Sequence, residues 1–180
     1  IPLANGVHET DWPKPEIEEI TGRPFKVRYA GSLAENMTLD SLLRVAEAIE
    51  KLSNEYEVIF EIKTMQLWYD LTKSKFKKFK KTTFLVQNLT DEEYKTWIRE
   101  ADTLVIAYNF DSKSKIYTQY SVANKMPECL ASGVPILAHG PKDVATLNLL
   151  ERNGCAQFAH VPQASKVAEE IEKLISSPTL

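Results

Sequence analysis

The sequence predicts a doubly wound α/β domain with a six-stranded, mostly parallel sheet. Segments typical of strands and of amphipathic helices alternate six times between residues 25 and 176. Several strand segments, such as TLVIAY at 103–108 and VPILA at 134–138, are apolar on both faces. This is typical of parallel strands that are covered by helices on both sides. Right-handed crossovers then lead to a Rossmann-like sheet with the strand order 3-2-1-4-5-6.

The first half of the domain contains three strand segments, each followed by a helical one. The strands are FKVRYAG, YEVIFEI and TFLVQ, at 25–31, 56–62 and 83–87. The first helix, TLDSLLRVAEAIEKL, has its apolar residues at helical spacing. The second, residues 67–81, is basic and amphipathic, and the third begins with a capping box from Thr90 to Glu93. These elements predict the half-sheet 3-2-1.

The second half repeats the alternation with one interruption. Its strands are TLVIAY, VPILAH and AQFAHV, and its helices are predicted over 124–133, 143–154 and 164–176. Gly133 and Gly154 follow the first two of these helices as stop signals. The polar segment 109–119 has no periodicity and is predicted to be a mobile loop.

The domain itself is predicted to span residues 26–177. Residues 1–25 contain four prolines and no periodicity, which is typical of a linker or entry segment. Residues 178–180 are left as a tail.

Composition excludes several classes of protein. The net charge of −3 over 180 residues argues against a general nucleic-acid binder. Cys129 and Cys155 are far apart and lack ligand spacing, so we expect no structural zinc site and a reducing, cytoplasmic location. No apolar run approaches the roughly 18 residues that a membrane span requires.

The most informative local pattern is the pair Lys125 and Glu128 at the start of a predicted helix. In open parallel sheets ligands bind outside the carboxyl ends of the strands, where this helix begins. A lysine there opposes the helix dipole, which is consistent with an anion such as a diphosphate beside it. A carboxylate one turn later is a natural acceptor for a ribose diol. The spacing also fits an ordinary surface ion pair.

Three further features have both a functional and a structural interpretation. Gly31 ends the first strand, where a glycine lets a phosphate approach the backbone, but it also fits a plain turn. The lysines between Lys73 and Lys81 are best interpreted as the solvated face of an outer helix, with a weak attraction to anionic lipid heads at the inner membrane face as the alternative. His139 lies at a strand end but has no carboxylate partner identifiable from sequence.

Residues 121–135, SVANKMPECLASGVP, resemble a motif of GT-B glycosyltransferases of the family-four type. In the carboxyl-terminal, nucleotide-sugar-binding domain of that family, one branch carries Ser-x-Pro-x-Lys-x-x-Glu followed by Tyr-Leu-Ala-x-Gly-x-Pro-Val. This chain has Ala123 at the proline place and Cys129 at the tyrosine place. ANGVH, YAGSL and LTDEEYKTWIREADTLVIAY are similar to other segments of the same domain in the same order. The resemblance therefore extends over nearly the whole chain.

The resemblance implies a donor-binding site. Glu128 would bind the donor ribose, and Lys125, Ser121 and Gly31 would hold the diphosphate, with Lys125 also in a catalytic role. Ser32 and Tyr120 complete the expected set. Ser32 lies in a glycine loop that lacks the family's usual Arg and Lys, and Tyr120 holds the place of an earlier family glutamate. No metal or other cofactor is expected, because the nucleotide diphosphate sugar is the donor substrate.

The resemblance also implies the reaction and its partners. The chain would be the donor half of a retaining GT-B enzyme whose acceptor is held by an amino-terminal domain that these 180 residues do not contain. Alone it would bind donor but transfer no sugar. Two alternatives stay open: a sugar-nucleotide epimerase on a similar fold, and a non-enzymatic α/β binding or regulatory domain.

Overall fold

The computed structural model describes residues 6–7, 12 and 22–176. Its six strands form one sheet in the order β3-β2-β1-β4-β5-β6, and every neighbouring pair is parallel. The strands are β1 (Phe25–Ala30), β2 (Val58–Lys63), β3 (Thr82–Leu85), β4 (Thr103–Ala107), β5 (Ile136–His139) and β6 (Gln157–Ala159). The predicted α/β class and strand order are confirmed.

Seven helices cover the two faces of the described sheet and its carboxyl edge. They are α1 (Leu39–Leu52), α2 (Gln66–Phe76), α3 (Asp91–Arg99), α4 (Ser112–Thr118), α5 (Met126–Ala131), α6 (Ala145–Arg152) and α7 (Ala164–Ser176). Buried residues of α1, α2 and α7 form one core cluster, and buried residues of α3, α5 and α6 form the other. Val105 belongs to the first cluster and Ile106 to the second, so β4 alternates between two apolar faces as its sequence predicts.

The prediction of a loop over residues 109–119 is wrong. Residues 112–118 form α4, with Asp111 as its N-cap: the Asp111 carboxylate accepts a hydrogen bond of 2.9 Å from the backbone N–H of Ser114. The buried residues of this helix are Ser114 and Thr118, whereas Ile116 and Tyr117 are exposed. Helix α4 therefore buries polar side chains and exposes apolar ones, so the spacing of apolar residues in the sequence does not indicate this helix.

The basic helix is shorter than predicted. It ends at Phe76, and residues 77–81 continue as turns in which the N–H of Phe79 donates to the carbonyl of Phe76. The aromatic side chains of this segment pack inward: Phe76 and Phe79 are buried, and Phe76 contacts Phe84 of β3 edge to face at 5.3 Å. The lysines remain outside.

Most of the predicted entry segment lies outside the described residues, as do the tail at 178–180 and all but Gly6 and Val7 of the ANGVH motif. Trp12 is described, and it is buried in the core cluster that contains Ile98 and Leu150. Residue 12 therefore packs against the domain, on the α3 side of the sheet.

Candidate functional site

Glu128, Lys125 and Tyr94 form a cluster where α3 and α5 meet. The Nζ of Lys125 lies 3.4 Å from Oε2 of Glu128, and the Tyr94 hydroxyl donates to the same oxygen at 3.1 Å. The Lys125 ammonium also sits 4.3 Å from the centroid of the Tyr94 ring, a cation–π distance. Burial and then the charge of Glu128 raise the pKa of Tyr94, so this hydroxyl stays protonated and continues to donate. Lys125 is the N-cap of α5 and Glu128 lies in its first turn, as predicted.

In this cluster, one oxygen of the Glu128 carboxylate has no hydrogen-bond donor among the described residues. Among the described residues, Oε1 of Glu128 accepts no hydrogen bond, because Tyr94 and Lys125 both contact Oε2. The Glu128 side chain is 29% exposed, so solvent or a ligand can reach it. A carboxylate held at one oxygen and free at the other is oriented to receive a hydroxyl donor.

A second lysine, Lys63, faces the same region and was not foreseen from the sequence. It is the last residue of β2, at the carboxyl edge of the sheet. Burial lowers the pKa of Lys63, and the charge of Lys125 lowers it further. No described carboxylate forms an ion pair with Lys63. Two ammonium groups thus repel one another at this edge, and a bound anion between them would relieve the repulsion.

Gly31 lies beside Lys63. Its N–H donates to the Lys63 carbonyl at 3.0 Å, and its own carbonyl accepts from the Thr64 hydroxyl at 2.7 Å. Gly31 has a φ of 156°, and a Cβ at this position would lie 2.7 Å from the Tyr29 hydroxyl. A glycine is therefore required by the packing itself. Both backbone groups of Gly31 have partners, so its N–H is not free to bind a phosphate.

The loop that follows Gly31 is held in place by hydrogen bonds to the backbone carbonyl of Ser32. The carbonyl of Ser32 accepts hydrogen bonds from the hydroxyls of Tyr29 and Thr38, at 2.7 and 2.9 Å. Because these bonds use the backbone of Ser32, its side-chain hydroxyl is not committed by them.

Asn109, at 0% exposure, connects this loop to α4. Its side-chain amide donates to the carbonyl of Glu35 and to the hydroxyl of Ser114, and its Oδ1 accepts from the N–H of Ser41. Its backbone N–H donates to the carbonyl of Met37. A buried asparagine with this many partners locks the β1–α1 loop and α4 together. Sequence reasoning missed this residue because two of its side-chain partners, Ser41 and Glu35, lie 68 and 74 positions away in the sequence.

Ser121 and Tyr120 lie on the approach to α5 rather than inside the cluster. The Ser121 hydroxyl donates to the carbonyl of Tyr117, and its own carbonyl accepts from the Thr146 hydroxyl. Tyr120 is 87% exposed. Neither side chain is hydrogen-bonded to Lys125 or Glu128 in the described structure. Of the six predicted donor-binding residues, the structure brings Lys125 and Glu128 into direct contact and places Gly31 and Ser32 in a loop at the same edge.

His139 is fully buried at the end of β5 and is not presented to solvent. Its Nδ1 lies 2.8 Å from the Ala159 carbonyl, and the Phe110 ring lies 5.2 Å away. Burial holds the pKa of His139 at about 4, so the imidazole is neutral near pH 7. With Nδ1–H donating to a carbonyl, this histidine acts as a structural link between β5 and β6.

A cavity of about 620 Å³ lies elsewhere, between α3 and the strands β2 and β3. None of the six predicted donor-binding residues lines it. Its lining includes one arginine, Arg28, which is buried and paired with Glu61 at 2.6 Å, and three further glutamates: Glu92, Glu93 and Glu100. A cavity with this surplus of carboxylates repels a diphosphate.

The described residues contain neither a cluster of metal ligands nor a membrane-spanning helix. No group of three or more His, Cys, Asp or Glu side chains in the described part could hold a metal ion. None of the described helices is both long and apolar enough to cross a bilayer.

Comparisons with known proteins identify the fold. No family model matches the chain, and no curated protein matches its sequence. An α,α-trehalose 6-phosphate synthase from Burkholderia multivorans superposes with a TM-score of 0.63 at 13% identity, over 86% of this chain and 36% of its own. The E. coli trehalose-6-phosphate protein bound with UDP-2-fluoro glucose gives 0.62 at 9% identity, over 86% and 37%. The UDP-forming α,α-trehalose-phosphate synthase from Burkholderia xenovorans, in complex with glucose-6-phosphate, gives 0.60 at 10%, over 85% and 36%.

These neighbours are GT-B glycosyltransferases, so the resemblance stated from the sequence is confirmed at the level of the fold. The chain spans little more than a third of the length of the neighbours it matches. It therefore has the fold of one domain-sized part of such an enzyme.

Proposed function

We propose that this chain is the donor-binding domain of a GT-B glycosyltransferase and binds a nucleotide diphosphate sugar. The observation that carries the proposal is the cluster of Tyr94, Lys125 and Glu128, with Lys63 nearby at the carboxyl edge of the sheet. It offers a carboxylate with one uncommitted oxygen next to two ammonium groups. A ribose diol and a diphosphate, which adjoin one another in every nucleotide sugar, match this pair of features.

Each residue has a defined role in the proposal. Oε1 of Glu128 accepts a hydrogen bond from a ribose hydroxyl, while Tyr94 holds Oε2 and orients the carboxylate. Lys125 and Lys63 bind the diphosphate from two sides. Because the Lys125 side chain is 47% exposed, its ammonium group can leave Oε2 of Glu128 for a phosphate oxygen.

Transfer requires the bond between the anomeric carbon and the phosphate oxygen to break, and the electron pair leaves with the diphosphate. Lys125 would stabilise the negative charge that develops on this leaving group. The retaining outcome and the independence from metal ions are expectations from the resemblance. The acceptor would be held by an amino-terminal domain, which is not among the described residues because they form a single sheet. The chain alone should therefore bind donor without transferring sugar.

Calorimetry tests the proposal. The chain is titrated with UDP, ADP and GDP, and the nucleotide that binds is compared with its 2′,3′-dideoxy form and with the bare nucleoside. Glu128→Ala should weaken binding of the diphosphate by roughly 1.5–3 kcal/mol, the scale of a hydrogen bond to a charged group. The dideoxy form should show little of this loss. Lys125→Ala should have an effect that shrinks as salt rises and is small for the nucleoside.

The control is the pair Lys166 and Glu169 on α7, which has the same i, i+3 spacing at 2.7 Å. Substitution of either residue by alanine should leave nucleotide binding unchanged. If the Glu128 and Lys125 variants behave like these controls, the pair is only a surface ion pair. If no nucleoside diphosphate binds the parent chain, the proposal fails and a non-enzymatic domain is favoured.

A further inference from the structure

Helix α2 exposes large apolar side chains on its solvent face. Met65, its N-cap, is 62% exposed, and Leu67 and Leu71 are 60% and 62% exposed. Leu67 and Leu71 are four residues apart and lie one turn apart on the same side of the helix. The opposite side of α2 is anchored in the core through Thr72 and Phe76. The exposed leucines are therefore not needed to hold α2 on the sheet.

A dense positive charge adjoins these apolar residues. Six lysines lie within the nine residues from Lys73 to Lys81, in a chain whose net charge is −3. Lys73 is paired with Asp70 at 2.7 Å and Lys75 with Glu35 at 2.5 Å. The other four form no ion pair with a described residue: Lys77, Lys78, Lys80 and Lys81.

A groove of about 560 Å³ between α2 and β3 lies beside the lysine-bearing end of α2. Three of the lysines lie along it, and its remaining lining is mostly aromatic: Lys73, Lys77 and Lys80, with Tyr69, Phe76, Phe79 and Phe84. Ammonium groups above apolar rings match the interface of a phospholipid layer, where phosphates lie next to the apolar boundary.

We propose that the lysine–leucine surface, defined as Met65, Leu67, Leu71 and the six lysines from Lys73 to Lys81, docks onto a bilayer that contains anionic phospholipids. The leucines enter the headgroup boundary while the lysines contact lipid phosphates. Two of the six lysines lie in the last turn of α2 and four in the turns that follow it, and clusters of four to eight basic residues are typical of binding to anionic lipid. A nucleic acid would engage the lysines but would leave the leucines in water, so the apolar part of the surface favours lipid.

This docking has a consequence for orientation. Met65 follows the end of β2 by two residues and Lys81 directly precedes β3, so the lysine–leucine surface runs along α2 from the carboxyl edge to the amino edge of the sheet. A docked domain would have α2 and the β3 side of the sheet toward the lipid. The surface contains none of the donor-binding residues named above, and docking is therefore testable independently of the proposed function.

Vesicle flotation tests the proposal with the chain as it exists. The chain should float with vesicles of phosphatidylcholine mixed with phosphatidylglycerol, and should not float with phosphatidylcholine alone. Binding should weaken as salt rises, since exposed charges are screened. Floating equally well with neutral vesicles, or not floating with either kind, would overturn the proposal.

Two double variants separate the charged and the apolar parts. Lys77→Glu with Lys80→Glu should lower binding at least about tenfold, because each lysine near the surface contributes about fivefold. Leu67→Ser with Leu71→Ser should lower it about tenfold at unchanged charge. The matched control is Lys166→Glu with Lys173→Glu on α7, which makes the same charge change elsewhere and should leave flotation unchanged. All six side chains lie on the surface, and a thermal melt checks that the variants fold.

A labelling experiment locates the contact. Cys155 is exposed and Cys129 is buried, so a polarity-sensitive fluorophore can be placed on Cys155 in the parent chain or on Leu71→Cys in a Cys155→Ser background. Mixed vesicles should shift the emission to the blue only for the label at position 71. A shift at position 155 instead would assign the contact to another face. If the chain binds duplex DNA but does not bind vesicles, the partner of this surface is a nucleic acid and not a lipid.

Discussion

Removal of the Tyr94 hydroxyl, by Tyr94→Phe, tests whether this tyrosine orients Glu128. The hydroxyl donates to Oε2 of Glu128 at 3.1 Å, and the Lys125 ammonium lies 3.4 Å from the same oxygen. A hydrogen bond to a charged group contributes about 1.5–3 kcal/mol when buried. The Glu128 side chain is 29% exposed, so water and Lys125 replace part of the interaction. We therefore expect the free energy of unfolding to fall by about 1 kcal/mol.

Urea denaturation of four proteins measures this interaction: the parent, Tyr94→Phe, Glu128→Ala and the double variant. The coupling energy should be about 1 kcal/mol, since the two side chains are in direct contact. Tyr94→Leu serves as a control, because it also removes the ring that lies 4.3 Å from the Lys125 ammonium. It should lose a further contribution of about 0.5–1 kcal/mol from the cation–π contact and more from lost packing.

The same variants connect stability to the proposed function. In calorimetry with the nucleoside diphosphate that binds, Tyr94→Phe should raise the Kd about two- to fivefold, equivalent to about 0.5–1 kcal/mol. This loss is smaller than that of Glu128→Ala, because the carboxylate is still present but less well oriented. A coupling energy near zero together with an unchanged Kd would show that Tyr94 does not position Glu128, and the site would lose its support from α3.

Three further predictions concern the elements around the site. Asn109→Ala removes three side-chain hydrogen bonds and should lower the free energy of unfolding by about 2–4 kcal/mol. Hydrogen exchange should also accelerate in α4. Unchanged exchange in α4 would contradict the role of Asn109 in joining this helix to the β1–α1 loop. Gly31→Ala should destabilise the fold by about 1–3 kcal/mol, because its Cβ would lie 2.7 Å from the Tyr29 hydroxyl, and a Tyr29→Phe background should recover part of the loss in thermal melts. Burial holds the pKa of His139 at about 4, below the value of about 6.5 in an unfolded chain. As the pH drops from about 6.5 to about 4, the unfolded state binds a proton that the folded state does not. The free energy of unfolding should therefore fall over this range by up to about 3 kcal/mol. His139→Leu should flatten this dependence in denaturation at several pH values, His160→Gln should preserve it, and an equally steep dependence in both variants would assign the effect to other groups.

The sequence by itself determined the class of fold and the order of its strands. Strand segments such as 103–107 are apolar on both faces, and this local property indicates a sheet covered on two sides. The order of the strands then follows from the handedness of parallel crossovers together with the Rossmann-like arrangement of two half-sheets, and requires no knowledge of specific contacts. The position of Lys125 and Glu128 at the carboxyl edge follows in the same way, because it depends only on which strand their helix follows.

Only the tertiary structure decided which residues stand next to that pair. Tyr94 reaches Glu128 across 34 positions of sequence, and Lys63, at the end of β2, comes close enough to Lys125 for the two charges to interact. Neither interaction has a local signature, because both depend on how α3 and α5 pack on the sheet and on the length of β2.

The same limit explains the error at α4. Its inward side chains, Ser114 and Thr118, are polar, and Ser114 finds its buried partner in Asn109, a residue outside the helix. A periodicity of apolar residues reports burial only where burial is driven by the hydrophobic effect. Where hydrogen bonds compensate the burial of polar side chains, the pattern disappears from the sequence, and the helix is visible only once its partners are in place.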